Sequence, residues 1–209
     1  FASNENLTSL TISEGVKSIG RYAFFGCSGL DGTLKISKNL KSIADYAFSD
    51  CVNLKGKLII PSSVESIGYG AFSGCTSLTE ITISEGVKSI GKQAFLGCTG
   101  LKGDLIIPDS VTEMGDFAFS GCSGLDGTLT LSKNLKNIPY SAFYGCSGLK
   151  GKLIIPSSVE SIGYRAFYNN KNLTSVTISD GVKRIDNFAF SGCTGLKGNI
   201  VIPDSGPEL

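Results

Sequence analysis

The dipeptide Ala-Phe recurs at Ala23-Phe24, Ala47-Phe48, Ala71-Phe72, Ala94-Phe95, Ala118-Phe119, Ala142-Phe143, Ala166-Phe167 and Ala189-Phe190, in steps of 24, 24, 23, 24, 24, 24 and 23 residues. A period held that closely along 209 residues is the mark of a repeat array. Each unit is too small to bury its own apolar side chains. Units must stack so that like columns lie over like columns and make one continuous core.

The unit beginning at Leu78 shows the columns: Leu78, Ile81, Ile83, Val87, Ile90, Ala94, Phe95 and Cys98. The unit at Leu54 repeats them with Leu54, Leu58, Ile60, Val64, Ile67, Ala71, Phe72 and Cys75. The 24-residue units carry an inserted glycine before the strand: Gly32, Gly56, Gly103, Gly127, Gly151 and Gly198. That residue fits a bulge or a wide corner. Alternation over Leu58-Ile59-Ile60 and Ile81-Thr82-Ile83 predicts a short strand, ended by Pro61 or Ser84. Val64 to Gly68 can form a second extended piece. No segment holds a helical pattern for the ~10 residues a stable helix needs. Two residues past each Phe stand only Gly, Asn or Asp (Gly26, Asp50, Gly74, Gly97, Gly121, Gly145, Asn169, Gly192). These residues tolerate a left-handed backbone, so the column predicts a turn with positive φ. At a strand spacing of ~4.8 Å, eight or nine rungs make a rod of roughly 40 Å.

The motif Leu-x-x-Ile-x-Ile-Pro-x-x-Val-x-x-Ile-Gly-x-x-Ala-Phe-x-x-Cys, matched by Leu101, Leu105, Ile107, Pro108, Val111, Gly115, Ala118, Phe119 and Cys122, resembles the BspA-like class of leucine-rich repeats. The resemblance spans essentially the whole chain. It implies a single leucine-rich-repeat solenoid over 1-209, a right-handed superhelix dominated by β-structure, with a parallel sheet on its concave side. It also implies bacterial or protozoal cell-surface or secreted proteins that bind host proteins or other cells, hence an extracellular or surface location. Phe1 to Leu7 aligns with Phe167 to Leu173, and Ile200, Ile202, Pro203 and Ser205 open a ninth unit before Gly206-Pro207. The chain therefore reads as a piece of a longer array.

Composition narrows the chemistry. The formal net charge is +1, which disfavours nucleic-acid binding and polybasic attachment to membranes. Histidine is absent, which removes His-based triads, imidazole bases and His-containing metal sites. The longest apolar run is four residues, Tyr22 to Phe25, far short of the ~20 of a membrane-spanning helix. The seven cysteines, at 27, 51, 75, 98, 122, 146 and 193, share one column with Asn4 and Asn170. Their odd number and common column favour buried, reduced thiols over a disulfide framework. No Cys-x-x-Cys pair suggests zinc. Glu14, Glu85 and Asp180 recur at equivalent turns and read as solvated charges, since like positions in distant rungs cannot meet as a catalytic pair. No metal or cofactor is expected.

The residue expected to face outward in mid-strand runs Thr11, Lys35, Ile59, Thr82, Ile106, Thr130, Ile154, Thr177, Val201. Its apolar members mark either a binding stripe or only the β-preference of branched residues. The stripe reading gives Lys35, Lys57, Ile59, Ile106, Lys152, Ile154 and Val201 as candidate partner-binding residues. Tyr22, Tyr46, Phe117 and Phe188, immediately before Ala-Phe, are expected to pack over neighbouring turns. Asn6-Leu7-Thr8 and Asn172-Leu173-Thr174 are glycosylation sequons. The functional expectation is a non-catalytic module that binds a protein or glycan through its sheet, in adhesion or host and cell interaction. The alternatives are a structural stalk or spacer, or an accessory domain of an enzyme.

Overall fold

The computed structural model describes residues 1–198 and 200–202. It is a parallel β-solenoid whose turns follow the sequence repeat. Three lines of backbone hydrogen bonds run along its axis. The first joins the predicted strands: Gly56–Ile60 pairs with Leu78–Ile83, Leu105–Ile106 with Leu129–Thr130, and Lys150–Ile155 with Asn172–Ile178, all in parallel. The second joins two-residue strands, one per rung: Ser42–Ile43, Ser66–Ile67, Ser89–Ile90 and Glu113–Met114 in one sheet, and Asn137–Ile138, Ser161–Ile162 and Arg184–Ile185 in another. The third lies in the turns, where the Phe amide of each rung donates to the Ala carbonyl of the next, as in Phe48 to Ala71 and Phe95 to Ala118, both 2.8 Å.

Register explains the inserted glycine. Pairing slips between Gly56 and Lys57 and again between Gly151 and Lys152, where a 24-residue rung meets a 23-residue one. Gly56 and Gly151 have φ of 80° and 79°, which a side chain resists. The slip absorbs the length difference before the strand and leaves Leu58 opposite Ile81 and Leu153 opposite Val176, so the buried face stays buried.

The core is the stack of columns. Nine Phe rings, from Phe1 to Phe190, lie one over the next with centroids 5.0–5.7 Å apart and planes within 12°. The spine is therefore about 40 Å long, as strand spacing predicts. All seven cysteines are free and buried. Each thiol donates to the carbonyl of the Phe one rung back, Cys75 to Phe48 at 3.1 Å and Cys122 to Phe95 at 3.1 Å. Asn170, where the thiol is missing, donates its amide to Phe143 at 2.8 Å. The column needs a donor, and both residue types supply one.

Two turn positions, not one, are left-handed. All eight residues of the Gly/Asn/Asp column have positive φ. The position just before Ala-Phe does too, with Tyr22, Tyr46, Gln93, Phe117, Ser141, Arg165 and Phe188 at φ 51–61°. A left-handed L-residue costs roughly 1–2 kcal/mol. It persists here because the turn aims each amide at the next rung: Tyr22 donates to Asp45, Gln93 to Asp116 and Phe117 to Tyr140.

Glu14 and Glu85 are exposed, yet their carboxylates cap the next rung. Lys38 N–H donates to Glu14 at 2.9 Å, and Asp109 and Ser110 N–H groups donate to Glu85 at 3.1 and 3.0 Å. The reading of these acids as merely solvated charges is thereby corrected.

Candidate interaction face

Alternation along the first ladder turns Leu58, Ile60 and their equivalents inward and the residue between them outward. Ile59, Ile106 and Ile154 are accordingly 51%, 58% and 53% exposed, and Val201 is 72% exposed. They stand in one column with threonine between them. Ile59 pairs with Thr82, Ile106 with Thr130 and Ile154 with Thr177, and Lys35 bridges to Ile59. The ladder thus presents β-branched aliphatic groups on every second rung, alternating with hydroxyls.

Charge surrounds the column unevenly. Lys57 lies 3.6 Å from Glu80, both exposed, so the pair is weak. Asp104 accepts from the Thr128 amide at 2.6 Å and hydroxyl at 2.9 Å. Those bonds, the amide first, hold its carboxyl below the ordinary range. Lys35 and Lys152 have no ion-pair partner among the described residues.

The strand ladder is interrupted at regular places. Among the described residues no strand pairing joins Leu78–Ile83 to Leu105–Ile106, or Leu129–Thr130 to Lys150–Ile155. A cleft opens at each break. One of about 300 Å³ lies between Thr82 and Ile106, with Lys57, Glu80, Lys102 and Asp104 at its rim. The other, about 530 Å³, lies between Thr130 and Ile154, with Lys133, Lys152 and Pro156 around it. The first cleft is lined mainly by residues that precede mid-strand, Lys57, Glu80 and Lys102 to Asp104, and the second takes in residues that follow it, Lys133, Pro156 and Ser157.

Sequence reasoning missed the continuity of the aromatic side. Tyr22 stacks on Tyr46 at 5.0 Å, and Phe117, Tyr140, Tyr164 and Phe188 form a second run at 5.0–5.8 Å. Arg165 lies over Tyr164, Tyr168 and Phe188 at 5.0–5.7 Å. These rings do pack rung on rung, but Tyr140 and Tyr164 stand one repeat column earlier than Phe117 and Phe188, which conceals the run. At the other end Arg21 pairs with Asp45 at 2.6 Å, and this bond holds the Asp45 carboxyl below its usual value. The Asn172 amide donates to Ser147 at 2.9 Å, so that sequon's nitrogen is engaged between rungs.

Among the described residues no group of three or more Cys, Asp or Glu side chains could hold a metal ion. No described helix is long and apolar enough to cross a membrane. The thiols are inside, and burial pushes those of Cys51 and Cys98 up to about 12, which keeps them from acting as nucleophiles.

The profile of the BspA type leucine rich repeat region, in six copies, matches residues 1–126 and 126–207. No curated protein matches. Among solved structures, a leucine-rich repeat protein of T. pallidum is 28% identical, with a TM-score of 0.54 over 84% of this chain and 70% of its own. The pneumococcal vaccine antigen PcpA is 20% identical, with a TM-score of 0.53 over 91% of this chain and 57% of its own. A leucine-rich cell surface protein from Faecalibacterium prausnitzii is 23% identical, with a TM-score of 0.44 over 88% and 76%.

Proposed function

Since the chain belongs to the BspA-type leucine-rich repeat family, we propose that it is a non-catalytic interaction module of a cell-surface or secreted protein, and that it binds a protein through the outward face of its first strand ladder. The observation behind this is the registered column Ile59, Ile106 and Ile154, each more than half exposed, with Val201 exposed at the same repeat position. Scattered β-branched residues need no such phase. Apolar groups repeated on one exposed ladder, with lysines beside them, have the makeup of an interface with anchors and a polar surround. Aliphatic groups favour a protein partner over a glycan, whose sugar rings are held chiefly by hydrogen bonds and aromatic faces. Surface placement is the expectation that accompanies the family.

The parent and an Ile59/Ile106/Ile154→Ser variant are compared on arrays of proteins and of glycans. Side chains facing solvent should be replaceable without loss of fold, as judged by circular dichroism and melting. At least one protein partner should bind the folded variant about tenfold or more weakly, a loss of ~1.4 kcal/mol. Unchanged binding to every partner would move the site off this face. Binding of neither array would favour a spacer.

A further inference from the structure

The rungs repeat more finely than the anchors do. Isoleucine occupies every second rung of the outward column, with Thr82, Thr130 and Thr177 between. Two rungs span about 9.5–10 Å. On an extended partner, side chains on one face recur at about 6.8 or 13.6 Å, and neither matches. On an α-helix, residues seven apart lie on one face and about 10.5 Å apart. A helix inclined by about 25° to the solenoid axis meets the two-rung step.

The clefts agree with such a path. They are two rungs apart, between Thr82 and Ile106 and between Thr130 and Ile154, and the second is displaced toward the C-terminal ends of the strands. A straight rod inclined across the ladder passes over both. Charge specifies the partner further. On this face Lys35 and Lys152 lack ion-pair partners among the described residues, and at the rim of the first cleft Lys57 and Lys102 stand beside the carboxylates of Glu80 and Asp104.

We infer that the partner segment is an acidic amphipathic α-helix with apolar residues at heptad spacing, laid obliquely along the Ile59–Ile106–Ile154 column. Its apolar residues seat in the threonine troughs and clefts between the isoleucines, and its carboxylates meet the unpaired lysines. This rests on the reading of the strand face as a protein-binding surface.

The test uses the whole chain and a synthetic helix-forming peptide of about three heptads, with leucine at every seventh position, glutamate beside each leucine and alanine elsewhere. Controls are a scrambled peptide of the same composition and a peptide with lysine in place of glutamate. Calorimetry should show the acidic heptad peptide binding at least about tenfold more tightly than either control. The Ile59/Ile106/Ile154→Ser variant should bind it about tenfold or more weakly, and Lys35/Lys152→Glu should weaken it further as salt is lowered. Equal binding of heptad and scrambled peptides overturns the helix. So does a glycan partner whose binding the heptad peptide does not displace. If protein partners still depend on the three isoleucines in that case, the interaction face stands and only its occupant changes.

Discussion

A thiol is a small apolar group with one weak donor, and the cysteine column uses both properties. Cys98 fills a site with no solvent access and donates to the carbonyl of Phe72 at 3.1 Å. Removing it by Cys98→Ala leaves a small void and a Phe72 carbonyl with only the Cys75 amide as donor, so denaturant melts should show a loss of about 1–2 kcal/mol. Burial raises the Cys51 and Cys98 thiols to about 12. In the unfolded chain they ionise near pH 8.5. Between those values the unfolded state has released the protons and the folded state retains them, so stability is intact below about pH 8.5 and falls as the pH rises toward 12, by about 1.4 kcal/mol per unit for each such thiol. Urea melts from pH 7.5 to 10.5 should show the parent losing stability more steeply than Cys98→Ala. An equal slope would mean that the thiol ionises inside the fold.

The element is the rung, and its stability depends on where it lies in the stack. Phe95 is 0% exposed between Phe72 and Phe119, whereas Phe1 is 76% exposed with Phe24 as its ring neighbour. Phe95→Ala should cost about 3–5 kcal/mol, and Phe1→Ala under about 1 kcal/mol, since an exposed ring has little burial to lose. Equal losses would contradict stacked rungs. Much of the rung was legible from residue types: apolar columns gave the core, the Gly/Asn/Asp column gave a left-handed turn, and of the inserted glycines Gly56 and Gly151 marked register slips. The second left-handed position was not legible, because Tyr22, Gln93, Ser141 and Arg165 share no property that favours it. Its cause lies in the neighbouring rung, which accepts the amide, and a single unit cannot show that. Gln93, at φ 58°, offers a check. Gln93→Gly relieves the strained conformer and should stabilise by up to about 1 kcal/mol. A substantial loss would show that the Gln side chain matters more than its backbone. The outward isoleucines were legible through alternation, but the clefts beside them were not, since they arise where the strand ladder breaks.

For the whole molecule, stability is a sum of rungs and the interfaces between them, so its ends should open first. Ile12 and Val16 in the first rung are only partly buried, while Val64, Val111 and Val159 are fully so. Native amide exchange should accordingly be fast through residues 5–20 and slowest between about residues 60 and 165. Uniform protection would indicate a single cooperative block. The axial direction of the inter-rung hydrogen bonds has a mechanical consequence. Tension applied between the two termini loads these bonds one rung at a time, as in opening a zipper, instead of shearing them together. Each rung that yields frees its 23–24 residues, about 80 Å of extended chain. Under such tension the array should give way by small repeated extensions while the remaining rungs keep their shape.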